Sequence, residues 1–124
     1  MQKTAPNFGE FINIKRKAQG ITQKNIADAL GVTTVYICDI EKSRRYPPTK
    51  NGVLSKIAVI LKLNENEKSI LFDLAGLDKG CVSPDLSDYI MSSEVIRSAL
   101  RKAKDMATAD DWQWFIDNLD KKQK

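Results

Sequence analysis

The stretch from Ile21 to Arg45, ITQKNIADALGVTTVYICDIEKSRR, gathers side chains suited to recognition rather than to making or breaking bonds. With Ile37 and Ile40 turned inward and about 100° of rotation per residue, Val35, Asp39 and Lys42 face outward and Thr34 occupies an exposed first turn. Thr34 can donate or accept a hydrogen bond, Val35 offers methyl groups, and Asp39 only accepts. Lys42, Ser43, Arg44 and Arg45 follow as a polar, cationic run. It either complements the C-terminal end of a helix dipole or holds an anionic backbone. The chain contains no histidine and two cysteines, Cys38 and Cys81. A zinc site would need three or four thiolates or carboxylates, so no metal is expected. No nucleophile elbow, phosphate loop or paired-carboxylate pattern stands out from ordinary helix surfaces. An enzyme is therefore not expected, and no cofactor is implied.

Two short helical patterns position these residues. The first runs from Gln23 to Leu30, with Ile26, Ala27 and Leu30 on one face. The second begins after Thr33. Gly31 supplies the left-handed backbone that ends the first helix, and Thr22 and Thr33 each precede a helix as N-caps worth about 1 kcal/mol. Helices joined by so tight a turn cross steeply, with the small Ala27 at the approach. Charge is distributed unevenly around them. Residues 1–50 hold 9 Lys/Arg against 4 Asp/Glu, whereas residues 51–124 hold 11 against 12. The basic half is the half with the paired helices; it is either a solvated surface or, if those helices form a DNA-binding motif, the electrostatic footprint of a nucleic-acid binder.

Upstream, Asn7 is an N-cap for FGEFINIKRKAQ, whose stripe is Phe8, Phe11, Ile12 and Ala18 and which Gly20 ends. Downstream, Pro47 and Pro48 interrupt helix formation. A fourth helix is expected over Val53–Leu61, with Val53, Leu54, Ile57, Ala58 and Leu61 inward. Asn64 and Glu67 form a capping box opening a fifth helix through Ile70, Leu71 and Leu74 that Gly76 stops; Phe72 points off that stripe and needs another surface.

The pattern resembles the helix-turn-helix of the lambda-repressor/Cro-like, or Xre-type, regulators. Gln23, Ala27, Leu30, Gly31, Val32, Ile37, Ile40 and Glu41 carry the resemblance, which extends from Phe8 to about Ala75. It implies an all-α fold: a five-helix DNA-binding domain with a short C-terminal helical extension. It implies that the second motif helix enters the major groove, where base edges distinguish all four pair orientations. The base-reading positions then fall on Thr34, Val35 and Asp39. Val35 suits a thymine methyl; Asp39 either accepts from a cytosine amino group or holds a neighbouring Arg or Lys. Gln23, Lys42, Ser43, Arg44 and Arg45 are expected at phosphates. Tyr36 either joins them or packs at the domain edge. Arg16 and Glu41 are expected to pair and clamp the recognition helix to the first helix.

The expected domains are a lead over 1–7, the DNA-binding domain over 8–76 and a helical extension over 77–124. The extension reads as a brief helix around Asp85–Met91 and two more. The first of these is capped by Ser93, with Val95, Ile96, Ala99, Leu100 and Ala103 inward. The other is capped by Thr108, with Trp112, Phe115, Ile116 and Leu119 at helical spacing, and ends in a fraying DKKQK tail. Trp114 lies off that stripe. Helices this short need a partner surface, the core or a second subunit. The expected function is a sequence-specific double-stranded DNA-binding transcriptional regulator, a repressor occupying an inverted-repeat operator as a homodimer through its C-terminal helices. The alternatives are an antitoxin that binds a toxin and autoregulates its promoter, or a protein-interaction module that keeps the fold without binding DNA. No apolar run approaches the roughly 18 residues of a membrane span and the N-terminus has no signal-like apolar region, so a cytoplasmic protein with unpaired cysteines is expected.

Overall fold

The computed structural model describes residues 6–123; most of the expected lead, residues 1–5, and Lys124 of the tail lie outside the described residues. The described chain is all-α: α1 (Phe8–Ala18), α2 (Gln23–Leu30), α3 (Thr34–Glu41), α4 (Asn51–Ile60), α5 (Glu65–Lys79), α6 (Pro84–Met91), α7 (Glu94–Met106) and α8 (Ala109–Lys122). It divides into two compact units, one ending at Ser87 and one starting at Asp88, a boundary that falls inside α6.

Local chemistry accounts for most of the helix starts, although Lys50 makes no side-chain cap to α4. Asn7, Thr22, Asn64 and Thr108 close capping boxes, and Thr33 and Ser93 accept single N-cap bonds. Each cap satisfies donors that the first turn leaves orphaned. The helix ends are equally uniform. After each of the first five helices one residue turns left-handed: Gly20, Gly31, Ser43, Lys62 and Gly80. The next N–H then returns five residues, from Ile21 to Arg16, Val32 to Ala27, Arg44 to Asp39, Leu63 to Ala58 and Cys81 to Gly76. This is the Schellman closure. Three of the five use glycine; Ser43 and Lys62 accept the conformation at a cost on the order of 1 kcal/mol each.

The first unit packs α2 on α3, α1 on α3 and α5, and α4 on α2 and α5. Its core is Phe8, Phe11 and Ile12 of α1, Ile26 and Ala27 of α2, Ile37 and Ile40 of α3, Leu54, Ile57, Ala58 and Leu61 from α4 and its end, and Leu71, Phe72 and Ala75 of α5. Several inward positions differ from expectation. Ala18 is exposed, because the last turn of α1 projects beyond the core. Ile70 is 38% exposed while Phe72 is buried. α5 is rotated so that the larger aromatic surface, rather than Ile70, is removed from water. α4 starts at Asn51, before Val53, and Val53 is only half-buried.

Gly76 does not stop α5, which continues to Lys79 and ends at Gly80. Glycine here serves a close approach. A Cβ on Gly76 would lie 2.8 Å from the Cys81 carbonyl oxygen and 2.9 Å from the Ser83 nitrogen. The chain thus folds back over α5, which carries the first unit past residue 76 to Ser87. Gly9 makes a similar contact in α1, where a Cβ would strike the Ile40 carbonyl oxygen and lie 2.7 Å from that of Glu41. The start of α1 abuts the end of α3, and Phe8 N–H donates to Asp78 Oδ2 of α5 at 2.8 Å.

In the second unit α7 and α8 form at the expected caps, but the tail does not fray after Leu119, because α8 runs to Lys122. Neither helix buries a residue, so the expected inward side chains Val95, Ala99 and Leu100 are exposed. Among the described residues no helix is long and apolar enough to cross a membrane, and no group of three or more His, Cys, Asp or Glu is placed to hold a metal ion.

Candidate nucleic-acid interface

One carboxylate ties α3 to its neighbours. Glu41, the last residue of α3, is buried. Its Oε2 accepts from Arg16 Nε at 2.7 Å. Its Oε1 accepts from Asn13 Nδ2 at 2.8 Å, Arg16 Nη2 at 3.0 Å and Gln23 Nε2 at 3.0 Å. Arg16 Nη1 also donates to the Ile21 carbonyl at 3.0 Å. A single anion therefore fastens α1, α2, α3 and the turn between α1 and α2. Burial pushes the Glu41 carboxyl up, but hydrogen bonds from Arg16, Asn13 and Gln23, together with the Arg16 charge, hold it below the ordinary carboxylate range. The hydrogen bond to Glu41 raises Arg16, burial opposes it, and the Glu41 charge adds to the rise.

Arg16 and Glu41, whose pairing the resemblance implies, meet in a bidentate geometry, the strong form of a guanidinium–carboxylate contact. Gln23, expected at a phosphate, also donates a side-chain amide N–H into the clamp. Asn13 was not singled out by sequence. Its signal is its spacing: three residues before Arg16, on the same helix face.

The opposite face of α3 is open. Thr34 is exposed and Val35 is 69% exposed. Asp39 is half-buried at the edge, with Arg44 Nη1 3.9 Å from its Oδ1. That distance is an ion pair rather than a hydrogen bond, and it favours Asp39 as a holder of a neighbouring cation. Tyr36 packs against the core at the domain edge, and the Arg45 guanidinium lies 4.9 Å from its ring centroid, within cation–π range. Lys42, Ser43, Arg44 and Arg45 are all exposed. The Schellman closure at Ser43 turns this run off the axis of α3, with Arg44 beside Asp39 and Arg45 over the Tyr36 ring. Cys38 is a free, half-buried thiol on the flank of α3.

This arrangement is that of a helix-turn-helix whose second helix offers its outer face, and comparison with known proteins agrees. Residues 12–67 match the helix-turn-helix family model, the stretch in which the resemblance to the lambda-repressor/Cro-like, Xre-type regulators lies. The chain is also 41% identical, over 59 residues, to the ImmF control region 10 kDa protein of Bacillus phage phi105, an alignment covering 48% of this chain and 63% of that protein. The chain thus spans less than two thirds of the length of this curated relative. No solved structure matches the chain.

Proposed function

We propose that this protein is a sequence-specific double-stranded DNA-binding transcriptional regulator, a repressor rather than an enzyme, that acts in the cytoplasm by occupying an operator. α3 enters the major groove with Thr34 and Val35 at base edges, and Asp39 orients Arg44. Lys42, Ser43, Arg44 and Arg45 anchor phosphates on the flank, Tyr36 supports Arg45, and Gln23 serves the clamp with one side-chain N–H while the other remains for the DNA backbone. The observation that carries this reading is the Glu41 hub. It holds the end of α3 rigidly to two other helices while the outer face of α3 stays free and bordered by cations, which is what preorganised groove recognition requires. The phage relative, named for a control region, supports a regulatory role.

One such domain reaches too few bases for tight binding. The active species is therefore a homodimer on an inverted repeat with half-sites about one helical turn apart, 34–36 Å. Selection of sites from random DNA with the full-length chain tests this and should return a symmetric operator. Failure to enrich any sequence at low salt would exclude the regulator reading. Val35→Ala should change preference at particular base pairs by about 1 kcal/mol or less; uniform loss across sequences would remove Val35 from the base-reading set.

A further inference from the structure

The second unit contains two amphipathic helices that lack a cover. On α7, Ile96, Ala99, Leu100 and Ala103 form one stripe. On α8, Trp112, Phe115, Ile116 and Leu119 form another, each 40–49% exposed. Only Ala107 and Thr108 separate the two helices, yet α7 does not pack along α8 as the helices of the first unit pack on one another. Between them lies an open cleft of about 650 Å³ lined by Ala103, Met106, Trp112, Trp114 and Phe115. Trp114, 67% exposed and off the α8 stripe, gives that helix a second apolar side within the cleft. Helices of 13 and 14 residues are marginal alone in water, so this surface requires an occupant.

Charge indicates which occupant fits. α7 carries Arg97, Arg101, Lys102 and Lys104 against Glu94 and Asp105, a net positive helix. α8 carries Asp110, Asp111, Asp117 and Asp120 against Lys121 and Lys122, a net negative one. We propose that the occupant is a second copy of this chain, joined by reciprocal exchange. The apolar stripe of α8 from each protomer packs along the stripe of the other's α7. A two-fold axis repeats the contact and leaves neither stripe exposed. Pairing α7 with α7 would oppose cations, and α8 with α8 would oppose carboxylates. A foreign partner would have to supply both an acidic and a basic apolar helix, which this chain already carries. The inference rests on the dimer of the proposed function and specifies how it forms.

Charge reversal in the full-length chain tests the exchange. Lys102→Glu with Lys104→Glu should weaken dimerisation about tenfold or more, and Asp117→Lys with Asp120→Lys should do the same. Combining all four reversals in one chain should restore the wild-type dissociation constant, because each α7 then again meets an α8 of opposite sign. Sedimentation gives the constants, and far-UV circular dichroism at concentrations above each dissociation constant confirms that each variant is folded. The two tryptophans of the chain both lie on α8, so their emission should shift to longer wavelength on dilution through the dimer–monomer transition. A monomer at micromolar concentration, paired reversals without effect, or a fourfold variant no better than the paired ones each overturns the exchange. Half-site affinity is measured in parallel. Half-site binding without a dimer refutes the exchange alone, and a dimer without any DNA binding refutes the regulator reading alone.

Discussion

Replacing Glu41 tests whether one carboxylate organises the recognition helix. In Glu41→Ala the Arg16 guanidinium, whose side chain is only 12% exposed, loses its counter-charge, and the Asn13 and Gln23 amides lose their acceptor. Removing one partner of a buried pair costs about 3–5 kcal/mol. Asn13 and Gln23 stand at the half-exposed rim, where water can replace part of what they lose, so a loss of about 3 kcal/mol is expected. Glu41→Gln keeps the shape but trades charge-assisted bonds for neutral ones and turns an amide N–H₂ toward donors. About 2 kcal/mol is expected for it. Against a total stability of roughly 5–15 kcal/mol either loss is readily measured by urea denaturation followed by circular dichroism.

A double-mutant cycle with Arg16→Ala should show coupling, the double variant being less unstable than the sum of the singles. The acid dependence has a definite sign. Because the folded Glu41 carboxyl is depressed, its stabilisation is complete above the ordinary glutamate pKa and is lost as pH falls through the folded value. Glu41→Gln should therefore flatten the acid limb of the stability curve. A loss below about 1 kcal/mol in Glu41→Ala, or an unchanged acid limb in Glu41→Gln, would refute the hub.

Arg44→Ala and Arg45→Ala should each weaken DNA binding across all sequences and reduce the slope of log affinity against log salt by about 1; unchanged binding in both would remove them from the phosphate set. Ser43→Gly should stabilise the first unit by about 0.5–1 kcal/mol, since glycine relieves the left-handed backbone even after its larger unfolded-state entropy; a lower urea midpoint would contradict the Schellman assignment. Gly9→Ala should destabilise by about 2 kcal/mol or more although alanine is the better helix former, because its methyl group meets backbone carbonyls of α3; a stability equal to wild type would mean that α1 and α3 are not in that contact.

Features set by local chemistry were legible in the sequence. Thr22, Thr33, Asn64, Ser93 and Thr108 announce helix starts through hydrogen bonds completed within three residues, and α2 follows its expected bounds. The Arg16–Glu41 pair was legible through resemblance, which carries tertiary information that periodicity lacks. Where the deciding contact is distant, the sequence misleads. Gly76 reads as a stop, but the backbone of Cys81–Ser83 requires a glycine within the helix. Gly9 carries no signal in the sequence, and only the α3 carbonyls explain it. Gln23 is expected at a phosphate through the resemblance, and its bond to Glu41 follows only once α2 and α3 cross. The stripes on α7 and α8 reveal that burial is needed and nothing about what supplies it.

The bond from Phe8 N–H to Asp78 has a consequence for biosynthesis. It joins the first turn of α1 to the last turn of α5, and Phe8, Leu71, Phe72 and Ala75 share one core. On the ribosome, which extends the chain at roughly 5–20 residues per second, α2 and α3 emerge seconds before the helix that seals them. The nascent recognition helix is without its full support until residue 78 has cleared the exit tunnel. A chain stalled or cleaved after α4 would display an apolar groove where α5 belongs, the kind of surface that chaperones and proteases recognise. Delivery of a firmly held α3 is thus tied to completion of the whole first unit.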